Sequence, residues 1–176
     1  SAPNPEAVRK GFANLEKHIE NVQKFGINPV VCINAFPTDT NEDYDIIKEL
    51  CAVMGVKAVV STAFAEGGKG ASAIAKAVVE SIEAGTNKFT PLYKLTDSIE
   101  HKIHTIATEL YGADGVEYTS KARTQLKQID KLGFGGFPVC MVKTPVSLSD
   151  DEKKIGRPRG FKITVREFEY SAGAGF

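Results

Sequence analysis

Two phenylalanines stand where apolar strand patterns end, at positions that could bind a flat heterocycle. Residues 30–40 read VVCINAFPTDT and carry Phe36, and residues 59–70 read VVSTAFAEGGKG and carry Phe64. In parallel α/β sheets, ligands bind where the carboxyl ends of strands meet helix N-termini. Two consecutive strand ends that each present a phenylalanine could therefore hold one ring between two aromatic faces.

Polar residues around Phe36 could read the edge of such a ring. The Asn34 amide offers a donor and an acceptor, and the Asp39 carboxylate could accept a hydrogen bond from an exocyclic amine. The alternative is ordinary capping of the next helix, in which a side-chain oxygen bonds an orphan N–H group. The side chains available for capping are those of Thr38, Asp39 and Thr40. Capping does not explain Phe36-Pro37, where a polar pair would suit a turn better and where Pro37 makes Phe36 rigid.

A glycine-rich segment follows Phe64. Glu66 and Gly67 lead into residues 67–70, which read GGKG, and glycines allow a backbone to approach a ligand closely at a helix N-terminus. The segment is not a Walker phosphate loop, because that pattern needs GxxxxGK followed by Ser or Thr. Here Lys69 is followed by Gly70, so any ATP chemistry must take its phosphate cradle from outside these residues.

A basic cluster near the end of the chain could attract an anionic substrate tail or phosphate. Its members are Lys153, Lys154, Arg157 and Arg159. The acids at 150–152 cancel much of this charge, and a solvated surface is the alternative interpretation. Lys143-Thr144, at the end of an apolar run over 138–143, occupies a similar position at a predicted strand end.

Other chemistry-bearing residues favour structural interpretations. His101 and His104 share a helix face that also carries Lys102 nearby, but that face is opposite an isoleucine stripe, so a solvated surface is favoured over a metal site. Cys32, Cys51 and Cys140 lie far apart in apolar surroundings, which indicates reduced core thiols. We predict no metal site, and the sequence assigns no catalytic residues.

Helix and strand patterns alternate in the order α-β-α-β-α along the first part of the chain. They lie at about residues 4–22, 29–35, 40–54, 57–63 and 70–84. This order predicts right-handed crossovers and a parallel sheet. For the second helix, we expect Asp39 or Thr40 as the cap, with Glu42 three residues after Asp39 in a capping-box arrangement.

After a linker, a helix capped by Thr96 or Asp97 completes the first part of the chain, and the segment beyond it predicts a smaller α/β region. The expected elements of that region are a strand at 116–118, a helix through 122–132, a strand at 138–143, a capped helical turn at 149–152 and a half-exposed strand at 161–166. The partners of the last strand are expected to be missing. We predict an α/β domain over 1–112 with ring-binding strand ends, and a partial C-terminal α/β domain over 113–176.

Length and composition indicate a globular protein without a membrane or nucleic-acid role. The 176 residues include 42% hydrophobic and 25% charged residues, and 22 basic residues balance 22 acidic ones. No apolar stretch approaches the roughly 20 residues that span a bilayer. Without a secretory signal pattern, we expect a cytoplasmic location. Because Ser1 is not Met and the chain stops after a strand, we expect a piece of something longer.

Six blocks of the chain resemble formate–tetrahydrofolate ligase (formyltetrahydrofolate synthetase). In order they are GFANLEKHIEN at 11–21, INAFPTDT at 33–40, IATELYGADG at 106–115, PVCMVKT at 138–144, GRPR at 156–159 and ITVRE at 163–167. The resemblance implies ATP-dependent condensation of formate with tetrahydrofolate to 10-formyltetrahydrofolate, ADP and phosphate, through formyl phosphate, with Mg accompanying ATP. It implies a P-loop-NTPase-like fold, of which this chain is the middle domain and part of the C-terminal domain.

The resemblance also assigns roles to the aromatic pair. In the family, the aromatics that match Phe36 and Phe64 flank a pterin or adenine ring, and many members carry Trp at the second position. Together with the residues that surround this pair at the two strand ends, the predicted ring-binding residues are Asn34, Phe36, Pro37, Thr38, Asp39, Phe64, Glu66 and Gly67. The P-loop belongs to a missing N-terminal domain, so we expect this fragment to be inactive alone and the full-length protein to be a homo-oligomer. The alternative is a non-catalytic, independently folding binding or oligomerisation module.

Overall fold

The chain divides into two compact units in a computed structural model that describes residues 4–176. The first unit extends to Thr90 and the second begins at Pro91. The predicted domain boundary between residues 112 and 113 stays a prediction. Residues 1–3, with the start at Ser1, lie outside the described residues.

The first unit has the predicted α/β order, with one short helix added. Its elements are α1 (Pro5–Gln23), β1 (Val30–Asn34), α2 (Asn41–Val53), β2 (Lys57–Ser61), α3 (Ala63–Glu66) and α4 (Gly68–Glu83). Strands β1 and β2 pair in parallel, as the alternation of helix and strand requires. The predicted fold class, a parallel sheet with flanking helices, is confirmed.

Local signals and a shared apolar core explain these elements. Helix α1 begins where the Asn4 side chain accepts a hydrogen bond from the Ala7 N–H at 3.0 Å, with Pro5 in its first turn. Ile19, Cys51 and Val56 are buried together, so α1, α2 and the approach to β2 share one core. The amphipathic pattern of each helix therefore sets which face covers the sheet.

The second unit begins with a helix and contains a second parallel pair of strands. Its elements are α5 (Ile99–Thr105), a π-helical continuation (Ile106–Tyr111), β3 (Gly115–Tyr118), α6 (Ser120–Lys131), a 3₁₀ turn (Phe134–Gly136) and β4 (Lys162–Val165). Its main buried cluster joins α5 and α6 through Ile99, Ile103, Leu126 and Ile129. The apolar spacing of each helix predicted its buried face, but the contact between the two helices was not predicted.

The final strand has a partner, contrary to expectation. Strand β4 pairs in parallel with β3, with Val116 opposite Ile163. Ile163 and Phe161 are buried with Ala107 and Ala113, which explains the alternation that predicted a half-exposed strand. The expectation of an unpaired strand was wrong because its partner lies 47 residues earlier in the chain, and a local pattern cannot identify such a partner.

Three local predictions in the second unit were also wrong. Residues 138–143 have no strand partner within the described part of the chain, and the Val139 N–H instead donates to Tyr93 Oη at 3.0 Å. Helix α5 is capped by Ser98, whose Oγ accepts from the His101 N–H, whereas Asp97 bonds the Lys94 N–H. Residues 149–152 form no helical turn. An apolar run or a cap-forming residue suggests an element, but partners elsewhere decide whether it forms.

Candidate functional site

The two predicted aromatic turns leave the same edge of the first sheet. Asn34 lies opposite Ser61 at the ends of β1 and β2, and the Ala35 N–H donates to the Ser61 carbonyl at 3.0 Å. Since the strands are parallel, both chains leave at the carboxyl edge. Phe36 follows two residues after Asn34, and Phe64 follows three residues after Ser61. The structure therefore brings both predicted turns to one edge.

The Asp39 side chain closes the turn that carries Phe36. Asp39 Oδ2 accepts a hydrogen bond from the Phe36 N–H at 2.8 Å, and the Asp39 N–H donates to the Phe36 carbonyl at 3.0 Å. The Tyr44 hydroxyl donates to the same carboxylate oxygen at 3.4 Å. Desolvation, followed by the charge of Asp39, raises the pKa of Tyr44. This carboxylate thus holds the backbone of Phe36 across Pro37 and Thr38.

Thr40, rather than Asp39, caps helix α2. Thr40 Oγ1 accepts from the Asp43 N–H at 3.3 Å, and Asp43 Oδ2 accepts from the Thr40 N–H at 3.1 Å, which completes a capping box. The expected box from Asp39 to Glu42 was wrong by one residue. Asp39 cannot serve as the cap because its carboxylate turns back to Phe36.

Both aromatic side chains are exposed. Phe36 is 57% exposed and Phe64 is 87% exposed, and Asn34, Pro37 and Thr38 are exposed beside Phe36. A ligand that covers a large apolar side chain on the surface removes it from water, and this burial favours binding. The turns therefore offer accessible ring faces with a side-chain amide beside them.

The second turn is the short helix α3, which contains Phe64. The Ala65 and Glu66 N–H groups donate to the Thr62 carbonyl at 3.0 and 2.9 Å. The Thr62 hydroxyl donates to Glu66 Oε2 at 2.6 Å. Gly67, with φ of 57°, ends α3 and redirects the chain into α4, a backbone angle that glycine adopts without strain.

The close backbone approach in the glycine-rich segment is made within the chain. The Thr62 N–H donates to the Gly70 carbonyl at 3.2 Å. A Cβ added at Gly70 would lie 2.5 Å from the Thr62 carbonyl carbon, whereas one at Gly67 or Gly68 would meet nothing within 4 Å. Gly70 is therefore needed for chain packing, and a space for ligand approach remains only at Gly67 and Gly68.

Two of the other candidate cations, Lys143 and Lys154, contact residues of their own unit. Lys143 Nζ donates to the carbonyls of Thr144, at 2.8 Å, and of Ser147, and it lies 5.5 Å from the centre of the Tyr111 ring. Burial lowers the pKa of Lys143. Lys154 lies 5.6 Å from the centre of the Phe161 ring. A ligand role for Lys143 or for the 153–159 cluster stays a prediction.

Lys102 is a buried cation that sequence reasoning placed on a solvated face. Its side chain is 0% exposed, and Nζ donates to the carbonyls of Gly135 at 2.7 Å and Phe137 at 2.9 Å. Burial lowers its pKa. The available signal was its spacing of three residues from Ile99, which places it on the border of the apolar stripe. His101 and His104, on the same helix, are exposed as predicted.

A cavity of about 700 Å³ lies in the second unit and contains none of the predicted ring-binding residues. Its lining is mainly apolar and comes mostly from α5, the segment 137–144, β4 and the residues that follow β4. Within residues 4–176, no helix is long and apolar enough to cross a membrane. Over the same residues, no three His, Cys, Asp or Glu side chains group as metal ligands.

The comparison with known families covers both units. The model of the family described as formate–tetrahydrofolate ligase matches residues 1–176. The match therefore includes both aromatic turns and the whole second unit.

Proposed function

The chain belongs to the formate–tetrahydrofolate ligase family, and we propose that it supplies the ring-binding part of an enzyme that condenses formate with tetrahydrofolate using ATP. The products are 10-formyltetrahydrofolate, ADP and phosphate. The family assignment confirms the resemblance of the six sequence blocks. The observation that carries the ring-binding role is the pair of exposed phenylalanines at the carboxyl ends of adjacent parallel strands.

We propose specific tasks for the residues of the first turn. Phe36 stacks on a pterin or adenine ring, and its exposed face is available without rearrangement of the core. The Asn34 amide hydrogen-bonds the ring edge. Asp39 acts mainly by holding the Phe36 backbone, since its Oδ2 atom already accepts that N–H. Pro37 and Thr38, which lie between Phe36 and Asp39 in the turn, supply further contacts to the ring.

The second turn contributes the other ring face in this proposal. Phe64, in α3, stacks on the ring from the second side. Glu66 and Gly67 lie beside it, and the open space at Gly67 leaves room for the ligand. A phenylalanine offers less area than a tryptophan, so stacking at this position is modest rather than absent.

Phosphate transfer is proposed to depend on residues beyond this chain. The 176 residues contain no GxxxxGK[ST] pattern. The chain alone is therefore expected to release no ADP from ATP in the presence of formate and tetrahydrofolate. Measurable formate- and folate-dependent release by the purified chain would refute this part of the proposal.

Binding to the aromatic pair can be tested by calorimetric titration of the 176-residue chain with tetrahydrofolate and, separately, with ADP. Loss of one stacking ring costs about 1–3 kcal/mol of binding free energy. Phe36→Ala and Phe64→Ala are therefore each expected to weaken the binding of whichever ligand the wild-type chain binds by roughly 5- to 150-fold. Phe64→Trp is expected to strengthen it.

A matched control removes an exposed apolar side chain elsewhere in the first unit. Val53 is exposed at the carboxyl end of α2, which leads into the amino end of β2, whereas the aromatic turns lie at the carboxyl ends of the strands. Val53→Ala is therefore expected to leave the affinity unchanged. Equal affinity of wild type, Phe36→Ala and Phe64→Ala for both ligands would refute the ring-binding site.

An oligomerisation role is the second candidate, favoured by an apolar strip on α4. Val78, Val79 and Ile82 are exposed at neighbouring helical positions. If this strip joins copies of the chain, Ile82→Lys will convert an oligomer to a monomer in analytical ultracentrifugation. A wild-type chain that sediments as a monomer at high concentration would refute this role.

A further inference from the structure

Thr62 connects three elements at the second aromatic turn. Its N–H donates to the Gly70 carbonyl in α4, and its own carbonyl accepts from the N–H groups of Ala65 and Glu66 in α3. Its hydroxyl donates to Glu66 Oε2 at 2.6 Å. One residue at the end of β2 thus joins the strand, the turn that carries Phe64 and the first turn of α4.

The position of Phe64 depends on these bonds because its ring has little packing of its own. The side chain is 87% exposed, and α3 is a four-residue helix without a side-chain cap at its start. A single helical turn is not stable by itself, because the conformational entropy lost in ordering its residues is offset by very few hydrogen bonds. The ring is therefore placed by the backbone of α3, and the Thr62–Glu66 bond ties the end of that turn to its beginning.

We propose that Thr62 is a positioning residue that holds α3 in the conformation presenting Phe64 to the ring of the substrate. The inference rests on the proposed ring-binding function, but it concerns a residue that the sequence reasoning did not assign to the site. Without the hydroxyl, α3 frays in the free protein and must be ordered when ligand binds, so affinity falls although the contact surface is unchanged.

The main test compares Thr62→Val, which keeps the shape and removes the hydroxyl, with Thr62→Ser, which keeps the hydroxyl. Calorimetric titrations use whichever of tetrahydrofolate and ADP binds the wild-type chain. Loss of one hydrogen bond to a charged, exposed group predicts roughly 5- to 10-fold weaker binding by Thr62→Val, with wild-type affinity in Thr62→Ser. If Thr62→Val does not fold, Thr62→Ala replaces it.

A double-mutant cycle tests whether Thr62 acts through Phe64. In the Phe64→Ala background, Thr62→Val is expected to cause no further loss, because the group that it positions is absent. Ser72→Ala is the control: it also removes a hydroxyl bond, from Ser72 Oγ to the Gly68 carbonyl in α4, and should leave affinity unchanged.

A measurement without ligand makes the test independent of affinity. Thr62→Val is expected to increase amide hydrogen exchange at Ala65 and Glu66, while the amides between β1 and β2 keep their protection. Unchanged exchange at these two amides would overturn the inference.

The outcomes separate the inference from the function on which it rests. If Phe64→Ala weakens binding while Thr62→Val does not, or if the two losses simply add, the positioning role is wrong and the ring site stands. If Phe64→Ala leaves affinity unchanged while Phe36→Ala weakens binding, the positioning role and the second ring face are wrong and the Phe36 contact stands. If neither variant weakens binding, the ring site is wrong as well.

Discussion

Gly70 is the position where one added methyl group should damage the first unit most specifically. In Gly70→Ala, the new Cβ would lie 2.5 Å from the carbonyl carbon, 2.6 Å from the carbonyl oxygen and 2.7 Å from Oγ1 of Thr62. Two of these atoms belong to the backbone at the exit of β2, so a change of rotamer cannot relieve the overlap. Gly68, two residues earlier in the same helix, has open space around its Cβ position and an ordinary φ angle.

The magnitude follows from two opposing effects. Optimal contact between carbon atoms is at about 3.5–4.0 Å, so Gly70→Ala requires a shift of about 1 Å, for which overpacking costs of up to about 3 kcal/mol are typical. Alanine in place of glycine within a helix recovers about 1 kcal/mol. We therefore expect Gly70→Ala to lower the free energy of unfolding by about 2 kcal/mol, and Gly68→Ala to raise it by about 0.5 kcal/mol.

Urea unfolding of the two variants, followed by circular dichroism, measures this difference. With m-values of about 1–3 kcal/mol/M, the midpoint of Gly70→Ala should lie about 1 M below that of Gly68→Ala. Gly70→Ala should also weaken ring binding, because the shift moves Thr62 and with it α3. A Gly70→Ala midpoint equal to or above that of Gly68→Ala would refute the close contact between α4 and Thr62.

Three further predictions concern side chains of both units. Lys102→Met leaves two buried carbonyls without their donor, so the free energy of unfolding in urea should fall by about 2 kcal/mol. Because burial lowers the pKa of Lys102, the unfolded chain holds that proton more tightly than the folded protein does. The free energy of unfolding of the wild type should therefore rise relative to that of Lys102→Met as the pH rises towards about 10. A difference between the two that does not change with pH would contradict this. Thr40→Ala removes the α2 cap and should lower the free energy of unfolding by about 1 kcal/mol. An unchanged free energy of unfolding would show that Thr40 is not the cap. An aromatic disulfide reagent at pH 8 should label Cys32 and Cys140 rapidly and Cys51 only on unfolding, because Cys51 is buried and desolvation raises its pKa; equal rates for all three thiols would contradict its burial.

The order of elements in the first unit was predictable because it depends on local periodicity. Apolar spacing of three and four residues along α1 and α2, and the β-branched runs of β1 and β2, each need only a window of about a dozen residues to be recognised. Because consecutive strands separated by a helix pair in parallel, the position of Phe36 and Phe64 at one sheet edge also followed from that order.

Details of the turns were less predictable because neighbouring residues compete for the same role. Asp39 and Thr40 are both good N-caps in isolation, and the choice depended on which side chain could return to Phe36. Similarly, Ser98 caps α5 although Thr96 and Asp97 precede it. Such choices depend on small energy differences set by the path of the backbone.

The sequence by itself determined the family, the alternation of helix and strand in the first unit, and the aromatic residues at its strand ends, since all of these are written in contiguous blocks and local periods. Only the tertiary structure decided that β4 pairs with β3, that the Lys102 amine is buried against two carbonyls, and that Gly70 faces the backbone of Thr62. The physical reason is sequence separation. A local pattern reports which face of an element prefers burial. The partner on that face is chosen by contacts with residues elsewhere in the chain, from the 8 residues between Thr62 and Gly70 to the 47 between β3 and β4.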